Sequence, residues 1–184
     1  MARTLPAPNQ NFLQVLLETY AVNDQLNQLI LEHLAPRAWR STMPNTPRTR
    51  TIAAIFTHMH NIRRKWLRLS APHLKLPAQL NRSRCTQLQA RRALSHSAKQ
   101  CSAMLAQALS SRSGRIKQFR RDAWARPWPP GIAMFTYMTT HDAHHRGQVC
   151  MLAHQLGCPL PNHVNYGLWT WEKLWKQSGF THPR

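Results

Sequence analysis

The chain is short of acid. It has 6 Asp and Glu against 25 Lys and Arg, a formal net charge of +19 over 184 residues. So few carboxylates leave little material for paired-carboxylate acid–base catalysis. The excess of cations favours anionic partners, specific or not. Long apolar runs are missing as well. No stretch approaches the roughly 20 apolar residues of a membrane span, so no membrane partner is expected. The opening MARTLPAPNQ has no apolar h-region, so a secretory leader is not expected and a cytoplasmic location is the default. The four cysteines, Cys85, Cys101, Cys150 and Cys158, form no C-x-x-C pair. That excludes the common zinc-knuckle and dithiol motifs and points to free thiols in a reducing compartment. Alternating β-branched runs are also absent, which argues against a sheet.

What is present is helical periodicity. Hydrophobic residues make up 42% of the chain, enough for one folded domain. Residues 1–8 read as a flexible arm and residues 9–184 as a single domain. Phe12, Leu16, Tyr20, Leu26, Ile30 and Leu34 recur at helical spacing over residues 10–34. Pro36 ends that run, and residues 36–49 read as a connecting loop. Ile52, Ile55, Met59, Ile62, Trp66 and Leu69 mark a second helix over residues 51–69, at the 3–4 spacing of a bundle-facing stripe. A third helix is expected over residues 83–109, with Leu88, Leu94, Met104, Leu105 and Leu109 as its apolar residues. A basic and aromatic connection, RIKQFRRDAWARPWPPG, follows. A fourth helix runs from after Pro130 to Leu156, where Gly157 and Pro159 stop it. The tail NYGLWTWEKLWKQSGF reads as one short amphipathic helix. Trp124, Trp128, Trp169, Trp171 and Trp175 read as core or lid residues. The fold class is therefore all-α: a four-helix bundle with a short C-terminal helix.

The fourth helix contains THDAHHRGQV, residues 140–149. Its buried stripe is Met134, Met138, Val149, Leu152 and Leu156. His141 and His145 fall within roughly 40° of the centre of that stripe, one turn apart on one face. His144 falls roughly 100° away and is expected at the flank or exposed. Buried imidazoles need partners for their nitrogens. A shared metal supplies them, and so do neighbouring side chains; the i, i+4 spacing alone leaves both open. On the second helix His58 lies roughly 70° from its stripe and can reach the interior, whereas His60, at roughly 130°, is expected to face solvent. The best triad is His58, His141 and His145. Three protein ligands leave open coordination positions, the pattern of a catalytic site.

HDAHHRGQ, residues 141–148, resembles the H-x-x-H-H-R-G-Q signature of the DinB/YfiT-like family. IFTHMHNIRRKWL, residues 55–67, looks like that family's second-helix motif. The resemblance covers nearly the whole chain. It implies an up-down-down-up four-helix bundle that holds a divalent metal near one end, with His58, His141 and His145 as ligands. It also implies nickel or zinc, with manganese or iron in some members. Better understood members resemble thiol S-transferases that use a low-molecular-weight thiol cofactor. The second-helix motif here holds two histidines, the chain is unusually basic, and no thiol-binding signature is visible.

The expected chemistry is a metal-activated thiol, or water, that attacks an electrophilic substrate. Arg63 and Arg146 are candidates to hold the carboxylates of an anionic thiol at the cavity mouth. Asp142 can orient an imidazole, or it can neutralise nearby arginines; both readings stand. Gln148 is expected to bond across helices. Gly147 lies nearly opposite the stripe, and a glycine there costs about 1 kcal/mol of helix propensity. Something is therefore expected to pack against it, the Trp-rich tail first. Cys150 reads as a packing residue, and His96, His154 and His163 as surface or structural. Two alternatives remain. The mixed basic and aromatic segments RRKWLR (63–68) and RIKQFRRDAWAR (115–126) suit non-specific nucleic-acid binding. A metal-stabilised bundle without catalysis is the other. A homodimer is a further expectation.

Overall fold

A computed structural model describes residues 10–43, 50–111 and 131–180. Six helices occupy them: α1 (Gln10–His33), α2 (Ile52–Ser70), α3 (Gln87–Ser110), α4 (Gly131–Gln155), α5 (Asn162–Gly167) and α6 (Trp171–Gln177). No strand occurs among the described residues, and none of their helices is long and apolar enough to cross a membrane. The expected arm at residues 1–8, Trp124, Trp128 and the connection at 115–130 lie outside the described residues.

Local chemistry sets the boundaries. α3 starts at Gln87 rather than at Ser83 because Thr86 forms a capping box with Gln89. The Thr86 hydroxyl accepts from Gln89 N at 3.1 Å, and Thr86 N donates to Gln89 Oε1 at 2.9 Å. α4 ends in a Schellman turn. Gly157 sits at φ +66°, Gly157 N donates to His154 O (3.0 Å) and Cys158 N to Ala153 O (2.9 Å). The segment after α1 is more ordered than a plain loop. Pro36–Ala38 form one 3₁₀ turn, and Trp39 is buried. Its ring stacks on Phe56 and its Nε1–H donates to Cys85 O at 2.9 Å. The tail is two short helices, not one. Trp169 (82% exposed) and Trp171 (40%) face outward, so they are not core residues.

Two apolar clusters fix the helix directions. One gathers Ile30 and Leu34 near the end of α1, Ile52–Met59 at the start of α2, Ala90 and Leu94 in early α3, and Val149–Ala153 at the end of α4. The other gathers Leu16 and Tyr20 of α1, Trp66 and Leu67 late in α2, Cys101–Leu109 late in α3, and Met134 and Met138 at the start of α4. α1 and α4 therefore run one way and α2 and α3 the other: up-down-down-up. α1 and α2 each pack against both α3 and α4, so the long connection from Ala71 to Thr86 carries the chain back for α3 to run parallel to α2.

Several expected core positions moved. Phe12 (47% exposed) and Leu88 (53%) face solvent, turned outward while their neighbours Leu16 and Ala90 join the clusters. Ile62 and Leu69 are only partly buried, whereas Phe56, His60, Arg63 and Leu67 are fully buried. α2 buries two faces rather than one stripe, because α3 and the connection after α2 cover the second.

Candidate metal centre

His58 and His60 are two residues apart, so they point to nearly opposite sides of α2. His58 faces α4. There it meets His141 and His145, and one ring nitrogen from each of the three lies within 4.8 Å of the others. Ring centroids are 5.5 Å apart for His58 and His141, 4.9 Å for His58 and His145, and 4.5 Å for His141 and His145. His144 is exposed and outside this cluster, although its ring stands 5.0 Å from that of His145. His60, expected at the surface, is fully buried. Its Nε2 lies 2.8 Å from Ala78 O and its Nδ1 3.2 Å from Ser97 Oγ. The tautomer with the proton on Nε2 satisfies both contacts. The expectation failed because the apolar stripe showed only one of the two buried faces of α2.

The three rings differ in their support. The Nδ1–H of His145 donates to Gln148 Oε1 at 2.7 Å, leaving its Nε2 lone pair free. Gln148 thus acts within its own helix, one turn on, and not across the bundle. His141 packs edge-on against Trp66, with centroids 5.3 Å apart, and lies alongside Tyr137. Its Nδ1 is buried without a hydrogen-bond partner, 3.7 Å from an equally unpartnered Asp142 Oδ1. Burial, then His145 and His141, push the pKa of His58 down to about 4; burial also lowers that of His145. His58 and His145 are therefore neutral near pH 7, the state in which imidazole binds a metal.

This donor set fits a divalent ion. Three imidazoles crowd together, protonation of one disfavours its neighbours, and the cluster itself contains no carboxylate. A cation satisfies several lone pairs that the protein leaves unused.

Behind the triad lies a polar layer that the sequence reading only partly located. Arg63 is fully buried, not at a cavity mouth. It donates to Asp142 Oδ2 at 2.6 Å, to Asp24 Oδ1 at 2.9 Å and to Leu94 O at 3.0 Å. Asn23 and Asn27 also donate to Asp142 Oδ2, at 2.8 and 3.2 Å. Arg146, the other expected mouth residue, faces α1 and donates to Asn23 O, Asn23 Oδ1 and Asn27 Oδ1. Burial opposes the charge on Asp142. Arg63 chiefly outweighs it and holds the carboxyl well below the usual range. Asp142 therefore serves as the counter-charge of Arg63. Asn23, Asp24 and Asn27 were missed, though the signal was present: they interrupt the spacing of Leu16, Tyr20, Ile30 and Leu34 on the buried face of α1.

Other expectations resolve simply. Among the described residues nothing lies within 4 Å of a side chain placed at Gly147, which is exposed, so the described tail helices do not pack on it. Cys150 packs at the edge of the core, and all four cysteines are free. His96, His154 and His163 are exposed. Of RRKWLR, Arg63 and Trp66 are buried and cannot serve as a nucleic-acid surface.

No curated protein and no solved structure matches the chain. The family model described as the DinB family matches residues 8–176. That match spans the four long helices and the three converging histidines, and the chain belongs to the DinB family.

Proposed function

We propose that this protein binds one divalent metal through His58, His141 and His145 and is a metal-dependent thiol S-transferase or a related enzyme. The observation that carries the reading is the convergence of three imidazoles from two helices, with no fourth donor in the cluster among the described residues. Nickel and zinc suit such a nitrogen set. When bound, the ion supplies Lewis acidity that lowers the pKa of a thiol or water at its open positions. The chain's own residues do the rest. Gln148 fixes the tautomer of His145. Trp66 and Tyr137 hold the ring of His141.

A thiol suits the site better than water. Activating water benefits from a general base, and the nearest acid in sequence, Asp142, is committed to Arg63. A thiol ionises at about pH 8.5 unaided, far below water. In the transfer, the thiolate sulfur bonds to the electrophilic carbon and the leaving group departs with its electron pair. The thiol proton goes to solvent.

The test is turnover of a generic aryl halide with glutathione, bacillithiol or mycothiol, comparing zinc- or nickel-loaded protein with metal-free protein and with His145→Ala. Metal-dependent transfer, lost in His145→Ala, is expected. Loaded protein that transfers none of the three thiols points instead to a bundle in which the metal is structural.

A further inference from the structure

We propose that the cavity beside His58 binds a small organic anion, held by Arg50 and Arg82, with its reacting end at the histidine triad. The last clause rests on the triad being the reacting centre; the anion site itself does not.

The cavity has a volume of about 480 Å³ and is lined by Arg50, Thr57, His58, Asn61, Asn81 and Arg82 among others. That is the size of a metabolite site. Its far wall is the connection after α2, and that wall is fastened. Asn61 Nδ2 donates to Leu80 O at 3.0 Å, and Leu80 N returns a bond to Asn61 Oδ1 at 3.1 Å. Arg64 Nε donates to Pro77 O at 2.6 Å, and Arg40 to Arg82 O at 3.3 Å. The space is therefore bounded by a helix on one side and a tethered segment on the other. It meets the triad at His58. Arg50 and His58 line this same cavity, so a cation and one member of the triad border one space.

Charge identifies the ligand. Among the described residues neither Arg50 nor Arg82 has a carboxylate partner, and the acids are committed elsewhere. Asp24 and Asp142 pair with Arg63, Glu32 with Arg91, and Glu172 with Lys176. Glu18 accepts from Gln14. Two cations thus border one cavity with no counter-charge from these residues. Guanidinium groups bind carboxylate and phosphate through paired hydrogen bonds. A carboxylate- or phosphate-bearing small molecule matches both the charge and the volume. Arg63 and Arg146 cannot take this role, since both are turned into the bundle.

Calorimetric titration of zinc-loaded protein tests the proposal, with succinate and glycerol phosphate as separate titrants. The proteins are wild type, Arg50→Gln, Arg82→Gln, the double variant and Lys173→Gln. Both arginines are exposed, so the variants keep the fold. Lys173 is exposed on α6, which packs on α1, and it controls for loss of charge. Binding of one or both anions is expected. Each single substitution should weaken it roughly tenfold and the double variant more, while Lys173→Gln matches wild type and zinc content stays constant. If neither anion binds wild type, or the double variant binds as Lys173→Gln does, the proposal is overturned. If zinc does not load but anion binding still needs both arginines, the anion site stands and the thiol-transfer reading falls.

Discussion

At the scale of single residues, Arg63 is the most exacting group in the bundle. A fully buried guanidinium joins α1, α3 and α4 through Asp24, Leu94 O and Asp142. Removing it leaves two buried carboxylates without their counter-charge. Arg63→Ala should therefore cost about 3–5 kcal/mol, read as a lowered urea midpoint, and Arg63→Lys should not restore it, because an ammonium cannot span both acids. A loss below about 1 kcal/mol would contradict the role of this layer. The sequence made the histidines legible and these residues less so. His141 and His145 fall on the apolar stripe of α4, and His58 on the flank of α2, so angle alone selected them. Arg63 was read as a residue of the cavity mouth, not of the interior. Its burial depends on partners 39 and 79 residues away, a separation no local pattern reports. His60 was misplaced for the same reason: Ala78 and Ser97, which bind it, lie on other segments.

At the scale of elements, the boundaries follow from local chemistry and were mostly readable. Gly157 and Pro159 announced the end of α4. The Thr86–Gln89 box was overlooked, and the start of α3 was set four residues early. Thr86→Ala should cost about 1 kcal/mol, measured by chemical denaturation, and Ser83→Ala should cost almost nothing. The reverse order would place the cap at Ser83. α2 was read as having one buried face because its aliphatic residues form one stripe. Its second face carries Phe56, His60 and Arg63, whose polar members disguise it. The tail was read as one helix since its aromatic spacing is continuous; the break between α5 and α6 falls at Leu168–Thr170.

At the scale of the whole molecule, pH reports how the triad is built. The pKa of His58 is about 4 in the fold against an ordinary 6.5. Between those values the unfolded chain binds a proton that the folded chain refuses. Metal-free stability from this group is thus complete above pH 6.5 and is lost as pH falls toward 4. His145, also lowered, acts in the same direction. Asp142 adds a further loss in stronger acid, below its ordinary 3.8. Asp24 works the other way: burial raises its pKa, so the folded chain takes its proton first. Thermal melts of metal-free protein should fall between pH 6.5 and 4, and that fall should shrink in His58→Ala. Melts independent of pH over this range would contradict the packing of the triad.

The most direct test of the central claim is metal content by elemental analysis of untagged protein after loading with zinc or nickel. It should compare wild type with His58→Ala, His145→Ala, His60→Ala and His144→Ala. The account predicts about one ion per chain in wild type, lost in His58→Ala and His145→Ala and kept in His60→Ala and His144→Ala, with His60→Ala less stable. A wild type that stays metal-free after loading, or that loses its ion in His60→Ala rather than in His58→Ala, would contradict it.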